Sequence, residues 1–166
     1  EEKKKIARRI EKEISRILEE ERKKSAGTLM TPEQRLIGDN FLENKGRLPW
    51  PVERGIITEH FGTHQHPVLK YVTEKNDGID ITSSGKTRAR SIFKGEVTAI
   101  TAISGANMTV IIKHGKYMSV YNNLVNIKVK KGDLVETKQE IGDVFSDPGN
   151  NNSCTIKFMI FDMQKF

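Results

Sequence analysis

The stretch that decides the fold is residues 108–121, which read MTVIIKHGKYMSVY. β-Branched and aromatic residues dominate both of its ends, and His114-Gly115-Lys116 supplies a turn in the middle. This pattern predicts two antiparallel strands joined as a hairpin. Because side chains alternate along a strand, Val110 and Ile112 should face one side of the sheet and Ile111 the other.

Further strands are predicted on both sides of this hairpin. They cover residues 78–81, 95–100, 127–129, 134–135, 141–145 and 155–160, and polar or glycine-containing turns separate them. Short strands at close spacing are typical of a mainly antiparallel β domain. The sequence therefore predicts a mainly β domain over residues 47–166, preceded by a helical segment over residues 1–46.

The helical segment is predicted to hold two helices. Over residues 1–24 an apolar residue recurs every three or four positions on a charged background, at Ile6, Ile10, Ile14 and Ile17. So narrow a stripe needs a partner, either the chain's own domain or another helix, and its width favours the end of a coiled coil. A second helix is predicted over residues 31–44, because Thr31-Pro32 forms a good helix start.

Composition and charge exclude several classes of protein. The 166 residues carry a net charge of +6, which is shared evenly between residues 1–24 and the rest of the chain. Without a dense basic patch, nucleic-acid binding is not expected. The sequence has no run of about 20 apolar residues, the length that a membrane-spanning helix needs. Cys154 is the only cysteine, which excludes an intrachain disulfide and a zinc–thiolate site.

Several short motifs then occur in a fixed order. They are Phe61-Gly62, His66-Pro67, Gly78-Ile79-Asp80, Gly95-Glu96-Val97, His114-Gly115, Tyr121-Asn122-Asn123-Leu124, Lys131-Gly132-Asp133, Gln139-Glu140-Ile141-Gly142 and Ile156-Lys157-Phe158. In this order they resemble the LytM, or lysostaphin-type, domain over about residues 47–161. Enzymes of that family are zinc endopeptidases that cut peptidoglycan cross-links. Residues 44–51 resemble one branch in particular, the EnvC-type murein hydrolase activators, which carry a coiled coil before the domain.

The resemblance also implies where the metal ligands should be. Family enzymes hold zinc with a His four residues before an Asp and with the second His of a His-x-His pair, and two further His assist catalysis. Here Asp80 is present, but Asn76, Asn123, Thr155 and Lys157 occupy the four His positions. A catalytic zinc needs about three protein ligands, and the lysine ammonium has no lone pair and repels a cation. We therefore expect no zinc, no other cofactor and no hydrolysis by this route.

Two alternatives concern the histidines and the remaining carboxylate. His60, His64 and His66 lie close together in the sequence and offer a replacement metal site, although a solvated loop with a structural His66 is the favoured interpretation. Asp80 is expected to form an ion pair with Lys157 in place of the metal bridge.

Loss of the ligands leaves a groove that is suited to binding a protein. The expected groove residues are Asn76, Tyr117, Tyr121, Asn123, Thr155 and Lys157. Tyrosine beside polar groups is typical of protein interfaces. The alternative is a purely structural role, in which Tyr117 and Tyr121 only cap the sheet.

The resemblance implies a function for this groove. In the EnvC-type activators the groove binds a periplasmic zinc amidase, which then removes stem peptides from glycan strands. The coiled coil of these activators is controlled by the FtsEX complex at the division site. A helical arm restrains the groove in that branch, and either predicted helix fits such an arm. The expectation is therefore a non-catalytic amidase activator in the periplasm of a Gram-negative bacterium. The alternatives are a peptidoglycan-binding or scaffolding module and a cryptic zinc endopeptidase.

Overall fold

The computed structural model describes residues 2–26, 32–43, 48–59, 62–65, 73–76, 78–102 and 107–162. Two helices come first, α1 (Glu2–Ala26) and α2 (Pro32–Glu43). The strands that follow are β1 (Ile56–Glu59), β2 (Gly62–Gln65), β3 (Thr73–Asn76), β4 (Gly78–Ser83), β5 (Arg88–Arg90), β6 (Gly95–Ala102), β7 (Met108–His114), β8 (Tyr117–Val125), β9 (Leu134–Val135), β10 (Glu140–Val144), β11 (Ser146–Asp147) and β12 (Ser153–Asp162). The mainly β fold expected from the sequence is confirmed. Neither helix is long and apolar enough within the described residues to cross a membrane.

The strands form one large antiparallel sheet and one small one. The large sheet runs in the order β1-β4-β12-β8-β7-β6-β9, with β10 joined to β8 and β5, and β11 joined to β12. Strands β2 and β3 pair separately. This order places β4, β12 and β8 side by side, although they are far apart in the sequence. The motifs that contain Asp80, Lys157 and Asn123 are therefore brought to neighbouring strands.

One predicted strand is wrong. Residues 127–129 form no strand, although Val129 is buried and Ile127 packs against the core. Their alternation arises because one side of this extended segment faces the core, and the backbone of Lys128 donates a hydrogen bond of 3.0 Å to Ile141. Conversely, the sequence did not predict β1, β2, β3, β5 and β11, which are two to four residues long. So few residues give too little alternation to identify a strand.

The large sheet carries buried apolar residues on both of its faces. Its inner face carries the main core, which includes Val110, Ile112, Tyr121, Ile156 and Phe158. Its outer face carries a smaller cluster, which we call the outer cluster and which consists of Ile14, Leu18, Ile111, Met118, Val120 and Met159. The predicted division of Val110 and Ile112 from Ile111 is confirmed, and the hairpin is stabilised by apolar burial on both of its sides.

Helix α1 packs on the outer face of the sheet. Leu18 is 0% exposed and Ile14 is 2% exposed, and both lie in the outer cluster. An ion pair of 3.6 Å between Glu21 and Lys113 joins the helix to β7. The expectation of a coiled-coil seam is therefore corrected for this part of the helix, because the chain's own sheet covers it. The side chains of Ile6 and Ile10 lie outside the described part.

Helix α2 packs at the turn between β7 and β8. Phe41 stacks on the rings of His114 and Tyr117, with both pairs of centroids 5.0 Å apart. A Cβ at Gly38 would lie 3.4 Å from the Cα of Gly115, an ordinary van der Waals contact, so the helix backbone comes close to the turn at this point. The predicted cap at Thr31 and the boundary between residues 46 and 47 lie outside the described residues.

His114 is a structural residue of this junction. Its Nδ1 lies 2.8 Å from the Lys94 carbonyl and its Nε2 lies 2.7 Å from Ser119 Oγ. The ring is fully buried, and burial lowers the pKa of His114 from 6.5 to about 4, against the opposing effect of the bond to Lys94. Burial and two hydrogen bonds thus fix the ring within the junction.

This buried histidine should make stability depend on pH. Because the pKa of His114 is lower in the folded state, unfolding takes up a proton between pH 6.5 and about pH 4. We expect the free energy of unfolding to fall by up to about 3 kcal/mol as the pH drops through this window, and the contribution to be fully present above pH 6.5. Urea unfolding of the parent and of His114→Gln at pH 7, 6, 5 and 4 measures it. Equal pH slopes for the two proteins would contradict the prediction.

Candidate functional site

Four of the five positions that correspond to the family's metal site lie together on the large sheet, and three of them share its outer face. Lys157 of β12 lies directly opposite Asp80 of β4, and Thr155 lies opposite Thr82. Opposed residues of antiparallel strands share a face. The members of these two pairs alternate along β4 and β12 with inner-core residues such as Ile156. Gly78 permits this close approach, because a Cβ there would collide with the Phe158 carbonyl.

Asn123 reaches this group from β8. Its Nδ2 donates a hydrogen bond of 2.6 Å to the Thr155 carbonyl, and its Oδ1 accepts one of 2.7 Å from Asn107 Nδ2. The backbone has a φ of 76°, in the left-handed region where asparagine is one of the few residues that is readily accommodated. Both ends of the amide are thus engaged by the chain itself.

Three threonine hydroxyls form a ladder next to Asn123. Thr155 Oγ1 lies 2.8 Å from Thr82 Oγ1, which lies 3.0 Å from Thr58 Oγ1 on β1. Thr58 also donates a longer bond of 3.4 Å to the Asp80 carbonyl. We call Thr58, Asp80, Thr82, Asn123, Thr155 and Lys157 the polar floor.

The charged pair at the polar floor is only partly shielded from solvent. Lys157 and Asp80 are both half-buried, and Oδ1 of Asp80 is buried. The register gives the two side chains a common face with Cβ atoms about 5 Å apart. Their expected juxtaposition is therefore present, while the ion pair between them stays a prediction.

The residues of the polar floor do not fit a zinc ion. Asp80 is the one carboxylate in the set, the amide of Asn123 and the hydroxyl of Thr155 already bond to neighbouring groups, and Lys157 carries a positive charge. Within the residues that the structure describes, no three His, Cys, Asp or Glu side chains come together as metal ligands. The donor chemistry of these positions therefore disfavours a cation.

Some predicted site residues cannot be placed in this way. Asn76 ends β3, where its backbone pairs with Gly62, and its side chain lies outside the described part. His60 and His66 also lie outside it, as does the side chain of His64. A replacement metal site at these histidines stays a prediction.

Tyr121 does not line the groove, which corrects the sequence-based expectation. Its side chain is 0% exposed and lies in the core on the inner face. The hydroxyl accepts a 3.1 Å bond from the Ile92 amide and lies 2.9 Å from Ser119 Oγ, and burial raises the pKa of Tyr121 to about 12. Strand alternation causes this, because Tyr121 and the outer-cluster residue Val120 point in opposite directions.

Tyr117 does not line the groove either. Its ring is stacked under Phe41 of α2 and contacts the inner core. It also lies six residues from Asn123 on β8, which is about 20 Å along a strand. Of the two alternatives for the tyrosines, a structural role therefore holds for both.

Other residues at the floor were missed in the sequence. Asn122, which is 3% exposed, lies opposite Lys157 and donates a 2.6 Å bond to Thr109 Oγ1. Thr58 and Thr82 complete the ladder from β1 and β4. Alternation from Asp80 already predicts the face of Thr82, but no local pattern indicates which strands become its neighbours.

Helix α1 covers the sheet immediately beside the polar floor. Met159 is two residues from Lys157 on the same face of β12, and Val120 is two residues from Asn122 on β8. Both Met159 and Val120 lie under α1 in the outer cluster. The helix and the residues that it buries therefore lie along the border of the polar floor.

Comparisons with known proteins agree with this fold. The uncharacterized protein NMB1333 of Neisseria meningitidis serogroup B is 31% identical over 116 residues, which are 66% of this chain and 17% of that protein. Helicobacter pylori Csd3 superimposes with a TM-score of 0.57 and 26% identity, over 70% of this chain and 32% of Csd3. A structure of the SpoIIIAH and SpoIIQ complex gives a TM-score of 0.57 at 18% identity, over 70% of this chain and 93% of the matched chain. This chain thus spans less than a fifth of the Neisseria protein and about a third of Csd3.

The family follows from a direct match. Residues 74–165 match peptidase family M23, and they contain all of β4 to β12, with every position of the polar floor except Thr58. The match covers more than half of the chain. The chain therefore belongs to peptidase family M23.

Proposed function

We propose that this chain is a non-catalytic M23 domain that activates a cell-wall amidase by binding it directly. The observation that carries the proposal is the state of the metal-site positions. Asn123 and Thr155 bond to each other and to their neighbours, and Lys157 sets a cation beside Asp80. Activation of a water molecule on zinc needs ligands that this arrangement does not offer.

A protein partner suits the surface that remains. The polar floor presents a lysine, a carboxylate and a hydroxyl at half-buried or exposed positions, and α1 lies along its border. Polar and charged groups on a partly shielded surface give a protein partner specific hydrogen bonds and charge complementarity. The M23-like fold also occurs in the SpoIIIAH and SpoIIQ complex, which supports protein partnering for such domains.

The identity of the partner rests on the resemblance to the EnvC-type activators. That resemblance points to a periplasmic N-acetylmuramoyl-L-alanine amidase, and to an FtsEX-type division complex as a second contact. Tyr117 and Tyr121 no longer belong to the contact surface, so Lys157, Asp80 and Thr155 are its central residues.

The test is activation of purified amidases from the same cell, followed by release of dyed peptidoglycan. We expect the parent to stimulate one amidase and to leave peptidoglycan intact by itself. Lys157→Glu should lower stimulation at least about tenfold, because it reverses a charge at the centre of the surface. The matched control is Lys131→Glu, the same charge change at an exposed position near β9, the opposite edge of the sheet from β1.

The result separates the candidate functions. If folded Lys157→Glu stimulates every amidase as well as the parent does, the polar floor is not the partner site. Binding to purified sacculi without any stimulation would favour the second candidate, a peptidoglycan-binding module that uses the hydroxyl of exposed Thr58. Chelator-sensitive clearing by the parent alone would show an enzyme.

A further inference from the structure

A continuous set of hydrogen-bonded side chains crosses the sheet at the polar floor. Thr58, Thr82 and Thr155 connect β1, β4 and β12 through their hydroxyls, at 3.0 and 2.8 Å. Asn123 of β8 extends the set through the Thr155 carbonyl, and Asn107, just before β7, closes it. We call these five side chains the cross-strand network. The network thus links four strands and the segment before β7, whereas each backbone ladder joins only two neighbouring strands.

Asn123 is the member of the network that is hardest to replace by another residue type. Its Nδ2 and Oδ1 are both engaged, and its carbonyl accepts a 2.9 Å bond from the Phe145 amide, so three strand segments converge on one residue. The left-handed φ of 76° is strained for most side chains but common for asparagine. The residue thus supplies the donor, the acceptor and the backbone conformation together.

We propose that the cross-strand network takes the structural place of a metal ion in this domain and holds the polar floor rigid without one. A metal held by residues of β4 and β12 would tie those strands together at one point. Here the same strands are tied by neutral hydrogen bonds beside Lys157, whose charge opposes any cation. Thr82, Thr155 and Asn123 are half-buried, so a bonding group that loses its partner there is only partly satisfied by water, and loss of one member should loosen its neighbours. The inference holds whichever partner the groove binds.

Native-state amide hydrogen exchange of the whole chain tests it. In the parent, the protection of the first half of β12, residues 153–157, and of β8 around Asn123 should be the same with EDTA, with zinc chloride and with neither. A metal-dependent floor would exchange faster in EDTA or slower in zinc, and either change would overturn the proposal.

Two pairs of variants test the side chains themselves. Thr155→Val keeps the shape and β-branching but removes the hydroxyl, whereas Thr155→Ser keeps the hydroxyl. We expect Thr155→Val to speed local exchange at residues 153–157 by about tenfold to a hundredfold, and Thr155→Ser to stay near the parent. Equal exchange in the two variants would overturn the proposal.

The second pair keeps the test decisive if Thr155→Val does not fold. Asn123→Gly retains the freedom to adopt a positive φ but loses the amide, and it should loosen both β12 and the segment around Asn107. Its control is Gly132→Asn, which places an asparagine at an exposed position with a φ of 95° and should leave β12 unchanged. Parent-like protection of β12 in Asn123→Gly would show that the amide contributes nothing to the floor.

Discussion

Val110→Asp should leave the chain largely unfolded at neutral pH. Val110 is fully buried in the inner core on the central strand β7, between β6 and β8. The change removes about 1.5 kcal/mol or more of apolar burial and adds a carboxylate that has no cationic partner in an apolar core. Together these exceed about 4 kcal/mol, a large share of the 5–15 kcal/mol that stabilises a typical domain.

Circular dichroism and urea unfolding measure this effect. The matched control is Leu134→Asp, the same kind of change on the edge strand β9 at a side chain that is 78% exposed, where we expect a change within about 0.5 kcal/mol. Ile111→Asp tests the other face, because Ile111 is covered by α1 rather than by the inner core. If Val110→Asp unfolds at the same urea concentration as the parent, the assignment of this face is wrong.

Much of the fold was predictable because its long strands have clear local signals. The stretch from Met108 to Tyr121 combines β-branched residues, period-two alternation and a glycine turn, and each of these features acts over a few residues. The short strands β1 and β5 were not predictable, because they are held by pairing with β4 and β10 rather than by their own sequence. Pairing partners lie far away in the chain, where local patterns carry no information.

The helical segment shows the same limit. The stripe that includes Ile14 predicts correctly that one side of α1 is covered, but not what covers it. The narrow width of the stripe favours a second helix, but a sheet face can also cover it. The choice between them depends on the outer-face residues Ile111, Met118 and Val120, whose common surface forms only when the sheet does.

The candidate site was predictable in part. The resemblance identified Asp80, Asn123, Thr155 and Lys157, and the structure brings these four together on adjacent strands. The resemblance failed for Tyr121. A family motif states which residues occur near a site, but not which face of the strand each residue occupies. Strand alternation around Thr155 and Lys157 shows which residues of β12 share their face, but it says nothing about β8. No local pattern in the sequence fixes how β8 pairs with β12.

Tyr121→Ala should therefore act on stability rather than on binding. Truncating a fully buried aromatic side chain costs about 3–5 kcal/mol through lost apolar burial and the cavity that remains. Tyr121→Phe keeps the ring but leaves the Ile92 amide without its acceptor, which should cost about 1–3 kcal/mol. Urea unfolding gives both values, and the order parent, Tyr121→Phe, Tyr121→Ala is the expected order of stability.

Lys157→Glu is the contrasting variant, because its side chain is half-buried on the opposite face of the sheet. It should stay folded and lose amidase stimulation, with a free energy of unfolding up to about 1 kcal/mol below the parent's because a second carboxylate would then face Asp80. Tyr121→Phe should stimulate as the parent does at a temperature where it is folded. A Tyr121→Ala protein that is as stable as the parent but binds no partner would place Tyr121 on the contact surface after all. That outcome would require β8 to present its other face to the groove, and with it the assignments of Val120 and Met118 to the surface under α1 would fail.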